Sequence, residues 1–130
     1  MSQPSTNLYL RKGADRRLRS GHLWVYSNEV DSKKSSLGQF ASGDMVCVVA
    51  SDGTVLGSAY MEPQSLICGR IYALRERREL GQELMGFLIG RALSNRDAAF
   101  AKPYYRLVYG DSDYLPGLII DRFGDFLVVQ

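Results

Sequence analysis

A chain of 130 residues accommodates one domain, or one small domain with part of a second. Apolar residues make up 45% and charged residues 23%, which excludes a disordered polar chain and allows a core without disulfides or metal. The net charge of +2 names no partner, but residues 1–27 carry five Lys/Arg against one acid, whereas residues 107–130 carry Arg122 against Asp111, Asp113, Asp121 and Asp125.

In chain order, MSQPSTN has no basic start followed by an apolar run, so no signal peptide is expected, and residues 1–7 are polar enough to fray. The longest fully apolar runs are about six residues, against the ~20 that span a bilayer, and a cytoplasmic location is expected. Leu8 to Tyr26, LYLRKGADRRLRSGHLWVY, organises the rest: Arg11, Lys12, Arg16, Arg17, Arg19 and His22 stand with three aromatics against Asp15 alone. Cations attract a phosphate backbone of any sequence, and rings or guanidinium planes stack on unpaired bases. The competing reading is a solvated surface with ordinary charges.

Within that stretch, Leu8 to Arg11 alternates as a short strand and Gly13 breaks it. Ala14 to Arg19 is a short helix, with Lys12, Arg16 and Arg19 along one side, Leu18 inward and Gly21 suited to the left-handed residue beyond its end. In the extended segment His22 to Val30, Trp24 and Tyr26 share one face and Leu23 and Val25 the other. The area of an indole favours Trp24 as a core or half-core anchor. His22 reads as a surface hydrogen-bonding group, because no Ser/His/Asp or Cys/His set accompanies it. Ser32 to Asp44 is a loop in which Lys33 and Lys34 extend the basic surface. The candidate RNA-binding residues are therefore Arg11, Lys12, Arg16, Arg17, Arg19, His22, Lys33 and Lys34.

From Asp44 the pattern is sheet. Met45 to Ala50 is a buried strand, Ser51 to Gly53 a hairpin turn and Thr54 to Met61 the returning strand. Leu66 to Leu74 is a further strand, with Ile67, Gly69, Ile71 and Ala73 expected on one face. Short strands with internal glycines predict a small curled sheet or barrel with a helix at its side. Cys47 and Cys68 lie in apolar runs as two buried thiols of a reducing compartment; no CxxC spacing exists, and one His completes no zinc site with them. Arg75 to Phe100 is the one long helical pattern, with Leu80, Leu84, Phe87, Leu88 and Ala92 on its inner stripe and Gly86 and Gly90 spaced for close packing. Arg75, Arg77 and Arg78 at its start would oppose the helix dipole.

The tail predicts three strands, Tyr104 to Tyr109, Leu118 to Arg122 and Phe126 to Gln130, the last two joined through residues 123–125. Asp111, Ser112 and Asp113 imitate the opening of a calcium loop, but Arg122 stands where its glutamate belongs, so no metal is expected. The last strand is apolar and open-edged; a continuation of the native polypeptide is expected from it, and so is self-association through it.

LYLRKG, RLRSGHLWVYSNEV, SGDMVCVV and above all YRLVYGDSDYLPGLIIDRFGDFLVVQ resemble the front of a bacterial family of SAM-dependent 23S rRNA cytosine-5 methyltransferases. The match runs over nearly the whole chain, with Leu23 standing where the family often has Pro. The resemblance implies a mixed β fold with α: a small PUA-type pseudo-barrel, then a long helix and the first strands of an α+β domain. It implies a PUA-like RNA-binding domain over residues 1–75, a connecting helix over 76–100 and the start of a central α+β domain over 101–130. Its function would be to position rRNA for a Rossmann-like catalytic domain. S-adenosylmethionine would serve the parent enzyme, with no cofactor in this chain, because no Gly-rich loop follows a strand here. No catalytic residue carries over: a buried Cys47 or Cys68 is a poor nucleophile, and the chain alone is expected to be inactive. The alternative is a stand-alone PUA-like RNA-binding protein of ribosome assembly or translation, without catalysis.

Overall fold

The computed structural model describes residues 6–130, so the fraying expected over residues 1–7 lies outside the described residues as far as Ser5. The chain divides into two compact units, residues 1–79 and 80–130.

The first unit is a curled five-stranded sheet. Its strands are β1 (Asn7–Tyr9), β2 (Trp24–Tyr26), β3 (Met45–Val49), β4 (Val55–Met61) and β5 (Ile67–Leu74), and their order is β1-β3-β4-β5-β2. β1 runs parallel to β3 and the other pairs are antiparallel. The two edges then meet. Leu10 bridges Val30, the Arg11 amide donates to the Glu29 carbonyl at 2.9 Å, and the Asp31 amide to the Tyr9 carbonyl at 2.8 Å. The segments following the two edge strands thus pair with each other, which protects edges that would otherwise attract other chains. Leu8, Val25, Val46, Val48, Ala59, Cys68 and Ile71 are all fully buried inside the curl. Burial of each large aliphatic side chain stabilises by about 1.5–3 kcal/mol.

The expected hairpin forms over residues 45–61. Gly57 within it has φ +157°, and a Cβ there would sit 2.5 Å from the Ala73 carbonyl oxygen. The strands pack too closely for any side chain at that point. The strict alternation expected along β5 fails, because Cys68, Gly69, Ile71, Tyr72 and Ala73 are all buried. Register slips opposite β5, at Ser58/Ala59 and at Val25/Tyr26, turn successive side chains to different faces. A short helix, α1 (Arg16–Arg19), buries Leu18 and gives way to Gly21 at φ +103°.

The second unit is a three-stranded antiparallel sheet, β6 (Tyr104–Tyr109), β7 (Ile119–Phe123) and β8 (Phe126–Val129), in the order β6-β7-β8. Helix α2 (Gln82–Ala99) lies against β6. The expected helix over 75–100 starts later than its apolar pattern implied. Arg75 has φ +57°, which no helix propagates, and residues 75–78 are instead bonded along β4. The Arg75 amide donates to the Leu56 carbonyl, the Arg78 amide to Ser58 Oγ, and Ser58 Oγ to the Glu76 carbonyl. Arg75, Arg77 and Arg78 therefore oppose no helix dipole. The buried stripe of α2 is Leu84, Leu88 and Ala92, whereas Phe87 is 59% exposed. A Cβ at Gly86 or Gly90 would meet nothing within 4 Å among the described residues, so the close packing expected there is absent. All four residues of β8 are exposed. No helix among the described residues is long and apolar enough to cross a membrane.

Candidate nucleic-acid interface

The eight basic residues singled out in the sequence all lie in the first unit, and all are exposed. Their charges divide into two groups. Arg17 and Arg19 are committed to carboxylates. Arg17 Nη2 donates to Glu29 Oε1 at 2.7 Å, and its guanidinium lies over the Tyr26 ring, 4.5 Å from the centroid. Arg19 pairs with Asp15 one helical turn back and reaches Asp52 at 3.3 Å. The hydrogen bond that Arg17 donates to Glu29 raises the Arg17 pKa, and the one donated to Asp15 does the same for Arg19. Asp15 is in turn held below the usual carboxylate range by Arg19.

Arg11, Lys12, Arg16, Lys33 and Lys34 have no carboxylate partner among the described residues. Arg11 Nε donates to the Val30 carbonyl at 3.3 Å, which spreads its side chain over the seam where the sheet closes. Lys34 Nζ lies 5.4 Å from the centroid of Tyr9. The hydrogen bonds of that seam bring Arg11, Tyr9 and the loop carrying Lys33 and Lys34 together, although some twenty positions separate them in the chain. Asp31 Oδ1 accepts the Lys33 and Lys34 amides at 3.0 and 3.4 Å, so the loop turns tightly there. His22 follows Gly21 on the exposed turn after α1.

Glu29 ties these parts to one another. Its Oε1 accepts both Arg17 and the Tyr26 amide, the latter at 2.9 Å, while its carbonyl accepts the Arg11 amide. One half-buried glutamate, through its carboxylate and its carbonyl, therefore fixes α1, the end of β2 and the seam in a single geometry.

Trp24 is a residue that composition misplaced. Instead of anchoring the core it is 38% exposed, because Val25 takes the inward position at 0% exposure and its neighbours must point outward. Arg70, directly across in β5, stands over the indole at 5.3 Å. The alternation of Leu23 and Val25 with Trp24 and Tyr26 was the signal that could have placed it. Exposed or half-exposed rings with guanidinium groups upon them form surfaces on which bases stack.

The two thiols are fully buried. Burial raises the Cys47 pKa and pushes Cys68 up to about 11. Neither is a ready nucleophile at neutral pH. No group of three or more His, Cys, Asp or Glu among the described residues is placed to hold a metal ion.

A family model described as a PUA-like domain matches residues 8–74. Curated relatives named ribosomal RNA large subunit methyltransferase I include one from Shewanella denitrificans, 36% identical over 124 residues. That alignment covers 93% of this chain and 31% of the relative. Another, from Aliivibrio fischeri, is 30% identical over 129 residues, covering 97% of this chain and 32% of the relative. The chain thus spans about a third of the length of these relatives. A solved structure described as a putative SAM-dependent methyltransferase from Streptococcus mutans shares the fold, with a TM-score of 0.75 at 22% identity. It is covered over 32% of its length by 95% of this chain, and a further structure, described as a putative methyltransferase complexed with SAH, superposes with a TM-score of 0.76 at 22% identity.

Proposed function

Because the chain belongs to the PUA-like domain family through residues 8–74, we propose that its first unit binds ribosomal RNA and positions it for a methyltransferase domain. The observation that carries this reading is the set of five cations without carboxylate partners among the described residues, Arg11, Lys12, Arg16, Lys33 and Lys34, on a unit that also holds cations over the rings of Tyr9, Tyr26 and Trp24. Ion pairs would have satisfied these side chains internally; left open, they are available to phosphates. Arg17, Arg19 and the Glu29 hub hold the surface in shape rather than supply its free charge. His22 lies on the exposed turn after α1 as a hydrogen-bonding group.

The relatives' name supports large-subunit rRNA as the target, and cytosine C5 as the methylated atom follows from the family resemblance of the sequence. SAM would act in the whole protein. Among the described residues α1 begins after Asp15 and α2 after Gly81, and neither follows a strand through a glycine-rich loop. The part played by this chain is to grip the RNA backbone and stack exposed bases, with no bond made or broken at its own residues.

The test is the salt dependence of RNA affinity. Replacing Arg11, Lys12, Arg16, Lys33 and Lys34 together with Ala lowers the slope of log K against log salt by about 3.5 to 4.5 if each holds one phosphate. An unchanged slope in the five-site variant would remove the proposed role from this surface.

A further inference from the structure

Beside α1 the first unit has a hollow of about 330 Å³ that the reading above does not use. Leu18, Arg19, Thr54, Val55, Leu56 and Arg75 line it. The volume lies at the lower end of the roughly 300–1,000 Å³ of small-ligand clefts. Its floor is apolar, with Leu18 and Leu56 each 5% exposed and Val55 half-buried. Its rim carries two guanidinium groups in different states. Arg19 is neutralised by Asp15 and Asp52. Asp52 is itself held below the usual carboxylate range, chiefly by the Thr54 hydroxyl and also by Arg19. Arg75 makes only a 3.4 Å hydrogen bond to the Arg19 carbonyl and faces no carboxylate among the described residues. An apolar floor with one uncompensated cation at its edge suits a flat, apolar-faced group that carries a single negative charge beside it.

The backbone points the same way. Arg75 holds φ +57°, a conformation that glycine adopts freely and a long side chain does not. Its amide is fixed to the Leu56 carbonyl at 3.0 Å, which keeps the residue on the rim. The chain accepts strain there in order to present a guanidinium, and strain of that kind concentrates at ligand-binding positions. The hollow is also continuous with the basic surface, because α1 supplies Leu18 and Arg19 to the one and Arg16 and Arg17 to the other.

We propose that this hollow receives one unpaired nucleotide of the bound RNA, its base against Leu18, Val55 and Leu56 and its phosphate on Arg75. This rests on the RNA-binding reading of the same unit and adds to it a preference for RNA with an unstacked base. Duplex regions engage only the open cations; an unpaired nucleotide engages the hollow as well.

The experiment compares a short RNA duplex with the same duplex carrying a single-nucleotide bulge, each titrated with the 130-residue chain and with Arg75→Gly. The unmodified chain is expected to bind the bulged RNA about tenfold more tightly, the scale of one charge-assisted hydrogen bond. Arg75→Gly relieves the positive φ, so its thermal midpoint is unchanged or raised and its duplex affinity is kept. It brings the two RNAs to within about twofold of each other. An Arg75→Gly variant that retains the full preference, or an unmodified chain that binds both RNAs alike with normal salt dependence, overturns the hollow and leaves the RNA-binding reading standing. Binding of neither RNA overturns both.

Discussion

The first unit holds eight arginines and the second four, and several of them are used in opposite ways. In the second unit, Arg96 bonds Asp113 at 2.8 Å, Arg106 bonds its cross-strand partner Asp121 at 2.8 and 3.2 Å, and Arg122 bonds the Tyr105 hydroxyl at 2.6 Å beside Asp97. On the basic surface of the first, Arg11, Lys12, Arg16, Lys33 and Lys34 lack carboxylate partners among the described residues, and Arg17 and Arg19 lie in ion pairs that brace it. Counting charge along the sequence marks the first unit as basic, but only the pairing shows which charge is available. The difference is between guanidinium as a structural clamp and guanidinium or ammonium as an open contact.

That contrast breaks most visibly in RNA affinity. Alanine at Arg96, Arg106 and Arg122 is expected to leave the log–log salt slope within about 0.5 of the unmodified value, whereas the five-site variant of the first unit lowers it by about 3.5 to 4.5. Equal losses from the two sets, measured by anisotropy across a salt series, would erase the distinction between clamped and open cations.

The second difference is in pH. Both cysteines belong to the first unit, and the Cys68 pKa lies near 11 against an ordinary value of 9.0. Between those values the folded state keeps the proton and the unfolded chain releases it, so stability falls as pH rises from 9 to 11 and is unaffected below 9. The loss attributable to Cys68 approaches about 2–3 kcal/mol by pH 11. Denaturant melts of the unmodified chain and of Cys68→Ala check it: the downward slope between pH 9 and 11 is shallower in the variant. Parallel slopes would mean that the Cys68 thiol titrates as it does in water.

A smaller effect tests the clamps of the second unit by themselves. Asp113 is 8% exposed and accepts both Arg96 and the Tyr109 amide, the latter at 2.7 Å. Asp113→Ala strands that amide and the guanidinium, at a cost of about 1–3 kcal/mol. The loss is read from thermal melts. RNA affinity should be untouched.

Much of this was legible locally. The Ser-Asp-Gly turn between two apolar runs marks the β3–β4 hairpin, and Gly21 marks the end of α1, because each depends on neighbours in the chain. The seam between residues 9–11 and 29–31 was not legible, since nothing in Leu10 or Val30 announces a partner twenty residues away. The helix start was misjudged for a related reason. An arginine gives no sign that it will take the left-handed conformation of Arg75, so the apolar pattern was extended back through it. The candidate site was half legible: charge and aromatic content located the surface and Asp15 stood within it, but Glu29, which holds Arg17, and Asp52, the second partner of Arg19, lie outside the basic run. Arg75 carried no signal beyond its charge.

The finest test of clamped against open charge uses Glu29 alone. Glu29→Gln keeps an oxygen to accept the Tyr26 amide and a carbonyl to accept the Arg11 amide, so the seam and β2 stay in place. It removes the negative charge that occupies Arg17. Arg17 then joins the open cations without any residue being added to the surface. If one further phosphate contact results, the log–log salt slope steepens by about 0.7 to 0.9 and RNA is bound more tightly at low salt. A gain of that size from deleting an acid shows that pairing, rather than the count of arginines, sets the strength of this surface. A slope that stays the same would place Arg17 out of reach of the RNA backbone, and Arg11, Lys12, Arg16, Lys33 and Lys34 would then define the outer limit of the contact.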